Sequence, residues 1–295
     1  MRTEARHPDT TDLDAWTAER ALDAIVAGQE GAVAAVRAAI ASLAAAARGV
    51  EARLARGGRL VYAGAGTSGR LALQDAAELP PTFGFDRTLV LLAGGEEAGQ
   101  AAREGAEDDE AAAVRAVDGA SVGPDDALIG LAASGGTPYT RAAVRRARER
   151  GAFTVGIANN ADAPLLRDAE VGILLDTGPE VLTGSTRMAA GTAQKAALNA
   201  LSTVVLVRSG GAYQNLMVGM RPVNEKLRLR ALRIVQEATG ADWEAARTAL
   251  AACDDRIRDA IVVVLAGVTP EVARARLAAT GGRVREALEP VTPPS

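Results

Sequence analysis

Apolar residues recur at helical spacing through residues 13–56, in LDAWTAERALDAIV and AVAAVRAAIASLAAAARGVEARLA. This predicts two helices, the second stopped by Gly57-Gly58. Beyond that stop the pattern changes. Short, nearly continuous apolar runs appear at Leu60–Ala63, Thr88–Ala93, Ala127–Ala133, Phe153–Ala158 and Val171–Asp176. Each is followed by Gly, Ser or Thr and then by a helical pattern. Runs apolar at every position read as strands covered on both faces, and their alternation with helices predicts a doubly wound parallel sheet. A long amphipathic segment, Arg187–Arg208, follows the last strand, and another helix is expected over Pro222–Thr239, ended by Gly240.

From residue 241 onward no strand pattern remains. Short helices are expected over Asp242–Ala252, Asp255–Ala266, Pro270–Thr280 and Val284–Leu288. Thr269-Pro270-Glu271 is a well-formed helix start: a hydroxyl cap, a proline in the first turn and an acid at the positive end of the dipole. The fold class is therefore α/β, with a doubly wound parallel sheet, N-terminal helices and a small C-terminal helical domain. The division expected is 1–240 and 241–295, with the PVTPPS tail frayed.

Composition narrows the chemistry. With 48% hydrophobic residues the chain has enough apolar content to fold, but only 3% are aromatic, so the core is built from small aliphatic side chains and closely packed helices. The net charge of −4 points away from nucleic acid or an anionic membrane as partner. A single cysteine, Cys253, excludes an internal disulfide and a multi-cysteine metal site. A single histidine, His7, argues against a histidine-based triad or a histidine-rich metal centre. The longest apolar runs, Ala260–Val268 and Ala200–Val207, fall short of the roughly 18–20 residues a bilayer span requires. The N-terminal MRTEARHPDTTDLD has no apolar stretch of the kind a signal peptide carries, so a cytoplasmic protein is expected.

Gly64-Ala65-Gly66-Thr67-Ser68-Gly69 follows the first strand and opens a helix. Its spelling suits a dinucleotide fold, but the ribose-binding acid expected at the end of the second strand is misplaced: Glu96 comes late, beyond Gly94-Gly95. Hydroxyls and free N–H groups at a helix start suit a phosphate monoester at least as well. Ser134-Gly135-Gly136-Thr137-Pro138 after the third strand has the same chemistry, with Thr137 placed to cap and Pro138 to begin a helix. Thr183-Gly184-Ser185-Thr186 precedes the long helix. Singly, each loop reads as ordinary helix capping; together, at the carboxyl edge of one sheet, they favour a shared anion site.

Only two of the 33 cationic side chains are lysines, Lys195 and Lys226, so either a compact ammonium is needed there or both have survived by chance on a solvated face. Asn199, Asn215 and Asn224, three of the five asparagines, lie close together in the sequence. General acids and bases have to be carboxylates. Glu78 lies near the end of the helix that begins beside the first loop, where Pro80-Pro81 are expected to terminate it. Glu107 lies in an acidic run, Glu107-Asp108-Asp109-Glu110, which by itself reads as a solvated helix start.

GAGTSGRLALQDAAELPPTFG, GGEEAGQAAREGAEDD, AASGGTPY, GPEVLTGSTRMAAGTAQKAALNALST and NLMVGMRPVNEKL together closely resemble the N-acetylmuramic acid 6-phosphate etherase family. TEARHPDTTDLD and the C-terminal helical piece are similar to that family too, so the resemblance covers nearly the whole chain. It implies a sugar isomerase (SIS) fold and cleavage of the D-lactyl ether of N-acetylmuramic acid 6-phosphate, with N-acetylglucosamine 6-phosphate and D-lactate as products, in peptidoglycan recycling. It implies no cofactor or metal, and a homodimer with sites near the subunit interface.

The family's two catalytic glutamates fall on Glu78 and Glu107. The phosphosugar is expected to bind at Gly66, Thr67, Ser68, Ser134, Gly135, Thr137, Ser185, Thr186 and Lys195. Three positions depart from the family's pattern: Gly136 in place of Arg, Ala189 in place of Lys and Gly219 in place of Asp. Glu78, backed by Leu79 and the prolines, is expected in the more apolar setting and so to act as the acid; Glu107, at a helix start, is expected to act as the base. Two other readings stand beside this one: a non-catalytic sugar-phosphate regulator on the same fold, opposed by the retained glutamates, and a nicotinamide-dependent oxidoreductase, opposed by the misplaced acid.

Overall fold

The structure, a computed structural model, describes residues 1–101 and 103–289; the PVTPPS tail lies outside them. Two compact units emerge, one formed by Met1–Ala77 with Arg87–Ser202, the other by Glu78–Asp86 with the chain from Thr203 onward. The elements run α1 (Ala18–Ala38), α2 (Ile40–Leu54), β1 (Leu60–Gly64), α3 (Gly66–Phe83), β2 (Thr88–Leu92), α4 (Glu110–Gly119), β3 (Ala127–Leu131), α5 (Pro138–Glu149), β4 (Phe153–Ala158), α6 (Pro164–Asp168), β5 (Val171–Leu174) and α7 (Ala189–Leu206). There follow a short hairpin, β6 (Ala212–Tyr213) and β7 (Leu216–Met217), and then α8 (Glu225–Thr239), α9 (Trp243–Ala252), α10 (Ile257–Ala266), α11 (Pro270–Ala279) and α12 (Val284–Ala287).

In the first unit the sheet is wholly parallel, in the order β2-β1-β3-β4-β5, with Leu60 in register with both Thr88 and Ala127. Successive strand side chains point to opposite faces. Val61, Ala63 and Leu128 pack on one face with Ala113 and Val117 of α4, Ala143 and Val144 of α5 and Leu165 of α6. Tyr62 points the other way, where its phenol donates to Asp75 of α3 at 2.7 Å. Asp75 also accepts from Asn199 of α7 at 2.6 Å and from Ser202 at 3.1 Å. Burial first, then the Asp75 charge, pushes the Tyr62 phenol well above its ordinary value, so it stays a donor.

The N-terminal stretch is sewn to the carboxyl edge of this sheet. Thr3, fully buried, donates its N–H to Asn160 beyond β4 at 3.2 Å, and Asn160 donates back to the Thr3 hydroxyl at 2.9 Å and to Ala133 beyond β3 at 3.0 Å. Thr10 donates to the carbonyl of Val181, beyond β5, at 2.8 Å.

The second unit has its own core, formed by Ile234 and Val235 of α8, Leu250 of α9, Ile257 and Ile261 of α10, Leu277 of α11 and Val284 of α12. That core takes in α8, upstream of the boundary at 240 read from the sequence. Cys253 is buried in it; burial first, then Asp259, pushes the thiol up to about 11, which suits a packing role.

Two helix ends differ from expectation. The prolines do not stop α3, which runs through Pro80 and Pro81 to Phe83. Its end is Gly84, at φ +66°, whose N–H closes on Pro80 O at 2.9 Å. The buried Leu79 and Phe83 hold this last turn in place despite the missing proline donors. Glu107 does not begin a helix either: it sits in a single 3-10 turn, Ala106–Asp108, and α4 is capped by Asp109, which accepts from Ala112 at 2.7 Å.

Candidate active site

In a sheet of this order the crossovers leave β1 and β3 toward opposite sides, which opens a crevice above their carboxyl ends. The first two hydroxyl-bearing loops lie at that switch point. One residue, Ala65, separates β1 from α3, so Gly66, Thr67 and Ser68 form the helix's first turn. The Gly69 N–H already bonds Ala65 O at 3.0 Å, leaving the three N–H groups before it as unpaired helix-start donors. Gly69 is required here, because a Cβ would come within 2.3 Å of Leu92. The second loop turns at Gly135, φ +67°, where a Cβ would strike Ala163 at 2.3 Å. Ser134 Oγ accepts from the Gly136 N–H at 3.1 Å, so its own proton is free to donate. Thr137 precedes α5 as expected, yet its hydroxyl does not cap the helix.

The third loop approaches the first: a Cβ built on Gly191 would lie 3.4 Å from Thr186 O and 3.7 Å from the Thr67 methyl. Its helix end is already filled. Glu180, almost wholly buried, accepts from the N–H groups of Ala189 and Ala190, each at 2.9 Å. Ser185 and Thr186 are therefore left to contribute through their hydroxyls, not through the dipole of α7. Lys195 is exposed on α7, and Lys226 is exposed in the first turn of α8. The asparagines serve structure: Asn199 donates to Asp75, Asn224 caps α8 and Asn215 lies in the exposed hairpin turn.

Gly66, Thr67 and Glu107 line one cavity of about 290 Å³, together with Arg70, Arg103 and Glu104. Arg70 is fixed by its bond to Ala98 O at 3.2 Å, and Arg103 pairs with Glu97. Here, then, a helix start with free donors, two guanidinium groups and an exposed carboxylate face one space. Glu78 lies on α3, ten residues beyond Ser68, and is exposed; the apolar surroundings expected for it are not found in the single chain, where Leu79 alone turns inward.

The comparisons decide the family. The chain is 52% identical to the N-acetylmuramic acid 6-phosphate etherase of Deinococcus radiodurans over 269 residues, which is 90% of this chain and 88% of that one. It belongs to the N-acetylmuramic acid 6-phosphate etherase family. The etherase of Mycolicibacterium smegmatis is 48% identical over 270 residues, covering 90% of each chain. Residues 42–148 match the glucokinase regulatory protein N-terminal SIS domain, and residues 110–204 match the SIS domain. Among solved structures, a candidate phosphosugar isomerase involved in capsule formation from Bacteroides fragilis aligns at a TM-score of 0.50 and 20% identity, over 66% of this chain and 94% of that one. An Escherichia coli CFT073 protein in complex with A5P aligns at 0.50 and 16%, over 68% of this chain and 97% of its own. These two likenesses establish the SIS fold.

Three polar residues that hold the first unit together, Asp75, Glu180 and Asn160, are not marked by the local sequence. Asp75 lies three residues before Glu78 on α3, but it turns inward to Tyr62, Asn199 and Ser202 while Glu78 is exposed. Glu180 and Asn160 bind backbone groups distant in sequence, and nothing local marks such a partner.

Proposed function

We propose that this chain is a carbon–oxygen lyase that cleaves the D-lactyl ether of N-acetylmuramic acid 6-phosphate, giving N-acetylglucosamine 6-phosphate and D-lactate. Family membership over 90% of the chain carries the reading, and the cavity that joins Glu107 to the first loop supports it. The regulator reading is not favoured, since both glutamates are retained and the relatives matched over most of the chain are etherases. D-lactate release from the purified protein without any cofactor is the expected result; its absence would contradict the reading.

The chemistry fits this inventory. The 6-phosphate anchors on the free N–H groups of Gly66, Thr67 and Ser68, with the hydroxyls of Ser68, Ser134, Thr137, Ser185 and Thr186 around it and Gly135 shaping the second loop. Lys195 adds a cation. Ring opening exposes a C1 aldehyde, which acidifies the hydrogen at C2. Glu107 takes that proton, and Glu78 gives one to the departing lactate oxygen, leaving an unsaturated aldehyde. Water then adds at C3, with the two carboxyls in exchanged roles.

Ser134→Ala removes one hydrogen bond to a charged group, worth about 1.5–3 kcal/mol. KM should rise roughly 10-fold or more with the melting temperature unchanged. Unaltered KM in Ser68→Ala, Ser134→Ala and Thr137→Ala alike would remove the anchor from these loops.

A homodimer supplies what the single chain lacks. Leu22, Val26 and Val33 are each more than half exposed, at spacings that put them on one side of α1, and Ile40 at the start of α2 is more than half exposed too. A second copy is the proposed cover, and it offers Glu78 the drier surroundings an acid needs. Sedimentation should give twice the 30.2 kDa chain mass, and Val26→Asp should shift it to the monomer. An active wild-type monomer would overturn this. Among the described residues no single helix is long and apolar enough to cross a membrane, and the cytoplasm is the proposed location.

A further inference from the structure

A second cavity, of about 730 Å³, lies wholly within the second unit and has no part in the chemistry above. Its lining carries four guanidinium groups, Arg221, Arg256, Arg258 and Arg274, against two carboxylates, Asp254 and Asp259. One cation consumes both acids: Arg274 bonds Asp254 at 2.8 Å and Asp259 at 3.2 Å. Arg258 is different. It springs from the first turn of α10 and is half-buried, yet it forms no hydrogen bond or ion pair among the described residues.

The guanidinium of Arg258 is held between glycine backbones. A Cβ on Gly282 would fall 2.5 Å from its Nη1, and a Cβ on Gly219 would fall 3.1 Å from its Nη2 and 2.3 Å from Phe83 O. Side chains at 219 or 282 would thus displace it, and glycine at both positions leaves it facing the cavity. Burial, the larger effect, pulls this guanidinium below its ordinary value against the opposing pull of Asp259. A partly desolvated guanidinium with no hydrogen-bond acceptor is costly, and the direct remedy is an anion.

We infer that this cavity is an anion site that takes a phosphate dianion, free or as a phosphate monoester, on Arg258 with Arg221 and Arg256. The lining's excess of two positive charges matches a dianion, and planar guanidinium groups present paired N–H donors to phosphate oxygens. The site is independent of the etherase reading, since none of its lining residues belongs to the loops or to the pair of glutamates.

The probe is radiolabelled inorganic phosphate in equilibrium dialysis against the full chain at fixed ionic strength. Arg258→Gln should bind one equivalent per chain fewer than wild type, while Ser134→Ala should keep that equivalent. Arg258→Lys, which keeps the charge and guards against a folding artefact, should retain it with affinity lowered several-fold. Unlabelled N-acetylglucosamine 6-phosphate assigns the source: displacement marks a phosphate-monoester site, and no displacement marks one for free phosphate. A folded Arg258→Gln chain that binds as many equivalents as wild type would overturn the inference.

Discussion

Glu107→Gln should abolish both D-lactate release and solvent exchange at C2 of N-acetylglucosamine 6-phosphate, whereas Glu78→Gln should lose lactate release and keep measurable exchange. The exchange reports proton transfer at C2 without ether cleavage, so it isolates the base. General acid–base groups typically contribute about 10²–10⁴-fold, and the loss in kcat should fall in that range for each variant. The assignment follows from position. Glu107 shares a cavity with the first loop, whose donors would fix the phosphate, and with Arg70. Glu78 lies farther along α3 and is exposed in the single chain, so its role as acid rests on the proposed second copy covering it. Exchange retained in Glu107→Gln and lost in Glu78→Gln would reverse the roles. Full turnover by both would remove the chemistry from these residues.

The largest effect on stability is expected at Asp75. Its carboxylate takes Tyr62, Asn199 and Ser202 at 2.6–3.1 Å inside the first unit and is almost wholly buried. Asp75→Ala strips two buried donors, Tyr62 and Ser202, and the half-buried Asn199 of their acceptor, and each stranded buried polar group costs about 1–3 kcal/mol. A loss of about 3 kcal/mol or more in urea unfolding is expected. Tyr62→Phe removes only one donor and should cost about 1 kcal/mol. Because Asp75 precedes Glu78 by three residues on the same helix, kcat should also fall in Asp75→Asn, a near-isosteric change. A loss below about 1 kcal/mol for Asp75→Ala would show that this network is not what ties β1, α3 and α7 together.

The strands were legible because a sheet covered on both faces leaves continuous apolar runs, and all five fall where those runs predict, within one or two residues at their ends. The loops were legible as strand-to-helix junctions because Gly, Ser and Thr gather there, although each by itself reads as ordinary helix capping. Where the sequence misled, a tertiary contact outweighed a local rule. Pro80 and Pro81 mark a helix stop by propensity, but Leu79 and Phe83 are anchored and Gly84 takes the left-handed turn. Thr137 has the residue type of a cap, but its hydroxyl stays free. The third loop matched the first two in chemistry, but a buried carboxylate from Glu180 already occupies its helix end. The proposed catalytic pair is implied only by the family resemblance, since an acidic run such as 107–110 is indistinguishable by composition from a solvated surface.

The central claim is an elimination followed by hydration carried out by this chain, and oxygen labelling tests it most directly. Purified protein is incubated with N-acetylmuramic acid 6-phosphate in ¹⁸O-labelled water, and both products are weighed by mass spectrometry. If lactate leaves from C3 and water then adds there, the label appears at C3 of N-acetylglucosamine 6-phosphate, and D-lactate keeps its original ether oxygen. Label in the lactate, or no lactate at all, would contradict the account.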